Sequence, residues 1–246
     1  AVMSTVSTGD HIICVAKPYS WSYKLLTQLL ARFGVEHTFV DGTDPQNFER
    51  AIQDNTRLIL LESPNSMTFE MQDIEEVVAI AKRHGILTAI DNSYASPLNQ
   101  RPIDYGVDLI MHSASKYLNG HSDIVAGVLC CSRKQAEKIF AGEFMTLGGI
   151  ISPHDAWLMI RGLRTLPLRM DRIAWTTPKV VEFLEEHPAV DKMYYPFAKS
   201  NPQLALAEKY LKKPGGQFSI QLKTEDPAEI DLFCNSLKHF LMGCSW

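Results

Sequence analysis

The sequence predicts an α/β layered fold, on three observations: short apolar runs of strand length recur through the first half of the chain, amphipathic helical stretches separate them, and glycines stand where helices must stop. His11 to Val15 (HIICV) reads as the first strand. The stretch from Tyr19 to Phe33 places Leu25, Leu26, Leu29 and Leu30 at helical spacing, and Gly34 supplies its end. The alternation continues with a strand at Glu36 to Val40, a helix at Pro45 to Ile52, a strand at Arg57 to Leu61 and an amphipathic helix at Ile74 to His84 closed by Gly85. Three strands follow, at Ile86 to Ile90, Asp108 to His112 and Ile124 to Cys131, several of them almost continuously apolar as strands buried on both faces must be.

After Gly148 and Gly149 the pattern lengthens into one long helical periodicity running through Trp157, Leu163 and Leu168 to Leu184 and Glu186. Beyond Pro188 come a strand at Val190 to Tyr195, a helix at Leu204 to Tyr210, a strand at Gln217 to Leu222, a helix at Pro227 to Leu237 and a strand at His239 to Met242. The expected organisation is a larger α/β domain over 1–165, a linking helix over 166–187 and part of a smaller α+β domain over 188–246.

The chain's 246 residues, 46% of them hydrophobic, suffice for a full core. With 24 Lys and Arg against 28 Asp and Glu, the formal charge of -4 is too nearly balanced for a phosphate-backbone binder, so no nucleic-acid partner is expected. No apolar run reaches membrane-spanning length and no signal-peptide pattern opens the sequence, so no membrane partner is expected and the cytoplasm is the expected compartment. The five cysteines, Cys14, Cys130, Cys131, Cys234 and Cys244, lack CxxC spacing. They read as small core residues in a reducing compartment, and no metal site is expected.

The densest polar cluster at the end of a strand is His112 to His121, HSASKYLNGH. Groups just past the carboxyl ends of strands line the ligand crevice of an open α/β sheet, so Lys116 is placed to reach a bound molecule. Ser113 and Ser115 beside it can donate to a phosphate. Asp91, at the end of the preceding strand in DNSYASP, can present a carboxylate to the same crevice. An aspartate facing a protonated pyridine nitrogen keeps a pyridoxal ring an electron sink.

These two ordered motifs, DNSYASP at Asp91 to Pro97 and HSASKYLNGHSD at His112 to Asp123, resemble the Cys/Met-metabolism family of pyridoxal-phosphate enzymes. Further on, PHDAWLMIRGLRTL at Pro153 to Leu166 is similar to another family stretch, with Arg161 and Arg164 read as architectural ion-pairing residues. The resemblance implies an aspartate-aminotransferase-like, fold type I large α/β domain, with a partial smaller α+β C-terminal domain. It implies pyridoxal 5'-phosphate as cofactor, held by Lys116 as a Schiff base. Asp91 would pair with the pyridine nitrogen, Ser113 and Ser115 with the phosphate, and Ser93 would lie near the ring. Gly9-Asp10-His11 followed by Tyr19 matches a further motif, making Tyr19 the tyrosine that stacks on the cofactor beside the reacting amine; Ser20 and Trp21 depart from the usual glycines of that turn.

By the same resemblance, a Tyr-x-Arg phosphate clamp and an S-G-M phosphate segment would precede Ala1, and the arginine for the substrate carboxylate would follow Trp246. Family members complete each site from a neighbouring subunit, which implies a homotetramer built from dimers. The implied activity is cleavage of a carbon-sulfur bond in a small sulfur-containing amino acid. The expected reaction is β-elimination of L-cystathionine to homocysteine, pyruvate and ammonia. This rests on ESPNS at Glu62 to Ser66, which puts Ser66 where γ-type relatives carry asparagine, and on Ser245-Trp246, which would seat the substrate carboxylate and narrow the pocket. The alternatives are cystathionine γ-lyase, methionine γ-lyase and cystathionine γ-synthase activities, and more remotely a cofactor-free interaction protein on the same fold, against which the presence of both Lys116 and Asp91 weighs.

Overall fold

The structure is a computed structural model in which residues 1–243 are described. Its main sheet has six strands: β1 (His11–Val15), β2 (Glu36–Val40), β3 (Thr56–Glu62), β4 (Leu87–Asp91), β5 (Leu109–Ser113) and β6 (Gly127–Cys131). Their order is β2-β1-β3-β4-β5-β6. All neighbours are parallel except β5 and β6. Every residue of β1 is buried, and β3 exposes only Arg57. That is the burial a parallel strand reaches when helices cover both faces, and it explains the unbroken apolar runs HIICV and LILL. His11 is the exception in type, and its fully buried ring is held by Thr56 Oγ1 and Thr38 Oγ1, each at 2.9 Å.

The chain leaves β1 towards β2 on one side and returns to β3 on the other. This reversal of direction opens a crevice past the carboxyl ends of β1 and β3. The helix Ile74–Arg83 covers the sheet with Ile74, Val77, Val78, Ile80 and Ala81, and Asp73 caps it by accepting from the Glu76 amide. It ends before Gly85, whose φ of +65° is cheap only for glycine. A second sheet pairs β7 (Val190–Tyr194) antiparallel to β8 (Ser219–Leu222) and packs Met193 and Ile220 against Val181 and Leu184 of the helix Leu166–Glu185, while the helix Leu204–Tyr210 buries Ala207 and Tyr210 in the core of the main sheet. Among the described residues no helix is long and apolar enough to cross a membrane.

Five expectations are corrected. The helix expected over Tyr19 to Phe33 begins at Ser20 and changes pitch, with a π-helical stretch at Leu25–Leu30 and a 3-10 turn at Ala31–Phe33 before Gly34 at φ +73°. The pitch change turns Leu26 and Leu30 into the core and leaves Leu29 exposed. The last strand of the main sheet is shorter than expected, because β6 is an antiparallel edge with one neighbour. Cys130 on it is exposed rather than a core residue, Cys131 and Cys234 are half-buried, and only Cys14 fits the core reading; Cys244 lies outside the described residues.

The long helical stretch is two helices, Pro153–Leu163 and Leu166–Glu185, divided at Arg164 and Thr165 just ahead of Pro167, which cannot donate to the preceding turn. The strand expected at His239 to Met242 does not form. Among the described residues the second sheet has two strands, and Leu241 and Met242 are exposed.

Candidate active site

The carboxyl ends of β1, β3, β4 and β5 and the turns after them carry most of the polar residues that the sequence singles out. Glu62 ends β3 and lies beside Asp91, which ends β4; Asp91 in turn lies beside Met111 of β5. The turn after β4 is tight: Asp91 Oδ1 accepts from the Ser93 amide at 2.9 Å. Ser93 Oγ then accepts from the Ser113 amide at 2.6 Å, tying that turn to the end of β5. From there the chain folds into a turn in which the Lys116 amide donates to Ser113 O at 3.1 Å. Asp91, Ser93, Ser113 and Lys116 are thus joined by consecutive hydrogen bonds, each donated by a backbone amide and the first two accepted by the Asp91 and Ser93 side chains.

Ser115 is engaged differently. Its hydroxyl accepts from the Ala126 amide at 2.9 Å and reaches Ala126 O at 3.4 Å, closing the loop between β5 and β6. The longer of these two leaves its proton readily redirected to an anion. Lys116 and Ser115 line a cavity of about 430 Å³ together with Tyr117, Gly120, Arg169 and Arg172. Tyr19, Asp91, Ser93, Ser113 and Ser66 are not on its wall.

Tyr19 sits at the start of the helix after β1, with its side chain 41% exposed and its amide donating to Glu62 Oε2 at 2.7 Å. Ser66 is half-buried, and its hydroxyl donates to Glu62 Oε1 at 2.5 Å. Ser245 and Trp246 lie outside the described residues. Of the two arginines read as architectural, Arg161 pairs with Asp123 at 3.1 Å.

Sequence reasoning missed three features. Glu62 served only as an alignment mark, yet it is a buried carboxyl whose pKa burial pushes up to about 7, with the Asp91 charge adding to the rise and the Ser66 and Tyr19 hydrogen bonds opposing it. A glutamate closing the apolar run LILL was the signal available. Arg169 clamps the lysine loop by donating to Tyr117 O at 2.8 Å and Gly162 O at 3.1 Å. It packs so closely that a Cβ at Gly120 would meet its Nη1 at 2.0 Å. Third, Gly215 to Gln217 lies across the site loops: Tyr94 Oη donates to Gln217 O at 3.1 Å, and the Gly216 amide donates to Tyr117 Oη at 3.0 Å.

An open, mainly parallel α/β sheet with a lysine turn and an aspartate at neighbouring strand ends defines an enzyme-like crevice of the large-plus-small-domain kind. The family model for the Cys/Met metabolism PLP-dependent enzymes matches residues 1–246, and the chain belongs to that family. It is 38% identical over 244 residues to cystathionine gamma-lyase of Bacillus subtilis (strain 168), covering 99% of this chain and 64% of that protein. It is 36% identical over 221 residues to cystathionine beta-lyase MetC of the same organism, covering 90% and 57%. A crystal structure of cystathionine gamma-lyase from Lactobacillus plantarum complexed with L-serine superposes with a TM-score of 0.93 at 36% identity, covering 98% of this chain and 63% of the other. The chain therefore spans about six-tenths of the length of these relatives.

The chemistry of the donor set fits pyridoxal phosphate: one primary amine for an aldehyde, one carboxylate for a pyridinium nitrogen, hydroxyls for a phosphate and an aromatic ring on an open face. Among the described residues no cluster of His, Cys, Asp and Glu could hold a metal ion.

Proposed function

We propose that the full-length protein is a pyridoxal-phosphate-dependent carbon-sulfur lyase that cleaves L-cystathionine by β-elimination to homocysteine, pyruvate and ammonia. The observation that carries this reading is the linked chain of Asp91, Ser93, Ser113 and Lys116 across neighbouring strand ends, in a chain belonging to this family. When bound, the cofactor supplies an electron sink for the charge that builds at the substrate's Cα.

The chain's own residues do the rest. Lys116 would hold the cofactor through Nζ and, with that amine free, would serve as the base for the proton on the substrate's Cα. Asp91 would accept a hydrogen bond from the ring nitrogen and keep it protonated. Ser113 and Ser115 would donate to the phosphate, Ser93 would lie near the ring, and Tyr19 would stack on it beside the reacting amine. The segments beyond this chain supply the remaining phosphate and carboxylate contacts, in a homotetramer built from dimers that share their sites. Solution light scattering on full-length protein that reports a fully active monomer overturns that assembly.

Ser66 in place of an asparagine supports β-elimination. A second reading, γ-elimination, is supported by the 38% identity to a cystathionine gamma-lyase. The experiment is to give the full-length, cofactor-loaded protein L-cystathionine and identify the keto acid by mass. Pyruvate with homocysteine is the expected outcome; 2-oxobutyrate with cysteine as the dominant pair overturns it in favour of the γ reading. Methionine, and an O-acyl-homoserine with cysteine, assayed alongside, separate the lyase from the synthase form of that reading.

A further inference from the structure

We infer that Glu62 is a positioning residue: its carboxylate is a buried bracket that fixes the Tyr19 turn and the Ser66 loop against each other at the mouth of the crevice. The inference deepens the proposed function, since it concerns how two residues of that site are held.

The geometry is specific. Glu62 is 8% exposed and points its two oxygens at different segments, Oε2 to the Tyr19 amide at 2.7 Å and Oε1 to the Ser66 hydroxyl at 2.5 Å. The two recipients are the turn after β1 and the loop after β3, which flank the point where the sheet reverses direction. Neither segment is in a relaxed form by itself. Tyr19 occupies the first turn of a helix, where amides lack intrahelical acceptors, so its N–H needs an outside oxygen. The Ser66 loop holds Met67 at φ +66° and Phe69 at φ +51°, left-handed conformations that cost energy for side chains of this kind.

Other ties between the segments lie further out. Lys17 pairs with Glu70 at 2.9 Å at an exposed position, and Asn65 Nδ2 reaches Ala16 O at 3.5 Å. An exposed pair of this kind holds little, whereas two short hydrogen bonds to a buried carboxylate hold geometry. A carboxyl this deep, next to Asp91 on β4, is costly to keep. The two bonds it makes are the compensation visible in the fold.

The test compares Glu62→Gln and Glu62→Met in the full-length protein by hydrogen–deuterium exchange, with the cofactor removed and restored, following peptides over 17–24 and 63–70. Glutamine keeps both contacts, accepting from the Tyr19 amide and donating to Ser66 Oγ, whereas methionine keeps the volume and loses both. Glu62→Gln should exchange like the wild type in both segments, and Glu62→Met should exchange about tenfold faster in both, the size of one lost strong hydrogen bond, with the rest of the map unchanged. Wild-type protection in Glu62→Met, or loosening of only one segment, overturns the bracket.

If Glu62→Met does not fold, Ser66→Ala decides. Removing the hydroxyl weakens one arm of the carboxylate, which keeps the Ser66 amide, and should raise exchange over 17–24 as well as over 63–70; unchanged exchange over 17–24 overturns the inference. The steady-state readout is a rise in KM and a fall in kcat in Glu62→Met, both restored in Glu62→Gln. Exchange in the cofactor-depleted protein does not depend on which bond the enzyme breaks, so a failed β-elimination assay leaves this result standing or falling by itself.

Discussion

The main sheet and the second sheet differ in how their strands are held. β1 and β3 are buried by neighbours and helices on all sides, so their hydrophobic pattern reports the strand directly. β7 and β8 have one partner each and remain half-exposed. The stretch expected to open β8 at Gln217 shows the consequence: the chain from Gly215 to Gln217 spends its backbone groups on tyrosine hydroxyls rather than on a strand. Tyr195 Oη donates to Gly215 O at 3.0 Å, the Gly216 amide donates to Tyr117 Oη, and Tyr94 Oη donates to Gln217 O. Two of those tyrosines adjoin the site, Tyr94 one residue past Ser93 and Tyr117 next to Lys116. The difference teaches that the chemistry is anchored in the large sheet, while the smaller part reaches it through a three-residue strap.

The sharpest way to break that division is Lys116→Ala. If the lysine turn carries the chemistry and little of the fold, the full-length variant should lose turnover by at least about 10³-fold, the loss expected for removing a covalent anchor that also moves the proton. Its unfolding transition should shift little. Retained turnover removes the assignment, and global unfolding shows the turn to be architecture instead.

Second in size is a pH effect confined to the large sheet. The Glu62 carboxyl is raised from an ordinary 4.5 to about 7, first by burial. The folded state therefore holds a proton that the unfolded chain has released. Stability from this group is fully present below about pH 4.5 and is lost as pH rises through about 7, a difference of ~3 kcal/mol. Asp91, on the adjacent strand, faces the same carboxyl. Buried His11 and His112, whose values burial lowers, act with the opposite sign, so the informative quantity is wild type minus Glu62→Gln. Urea unfolding of cofactor-depleted protein between pH 5 and 8 should show the wild type losing stability relative to Glu62→Gln. Parallel profiles refute it.

A third test strikes the strap. A Cβ at Gly215 would meet the Tyr94 ring at 2.6 Å, and one at Gly216 would meet Tyr117 Oη at 2.7 Å and Ile173 Cγ2 at 2.9 Å. Gly215→Ala should cost ~2 kcal/mol by overpacking and weaken cofactor retention, because the ring it displaces adjoins Ser93. A neutral substitution means that the strap yields easily and couples nothing.

How far the sequence carried depends on whether a feature is local. Asp91 and Lys116 stand in contiguous motifs, and the strands His11–Val15 and Glu36–Val40 begin and end where their patterns say, because each is decided within a few residues. The bracket at Glu62 was illegible, because it depends on β3 lying beside β1, which brings residues 43 positions apart together. The strap was illegible for the same reason, Tyr94 and Gln217 being 123 positions apart. The strand expected at His239 to Met242 failed in the other sense: its residues suit a strand, but strand formation is a property of a pair, and among the described residues β7 and β8 pair only with each other.

The smallest expected effect isolates one bond of the strap. Tyr94 is buried, which holds its hydroxyl protonated well above the ordinary tyrosine range, so it can only act as a donor towards Gln217 O. Tyr94→Phe keeps the ring and its contact with Phe69, at 5.4 Å between centroids, and removes the donor alone. Gln217 is half-buried, so water compensates part of the loss, and the expected cost is ~1 kcal/mol. Tyr195→Phe removes the neighbouring bond to Gly215 O, which is two residues along the same strap. If the strap moves as a unit, the two losses are not independent: once one anchor is gone, the second holds a chain already loosened. A double-mutant cycle in urea should then return a coupling of at least ~0.5 kcal/mol, where separated sites add within less than that. Strict additivity would mean that each tyrosine holds its own carbonyl and nothing more, leaving the contact between the strap and the site loops to the close packing of Gly215 and Gly216.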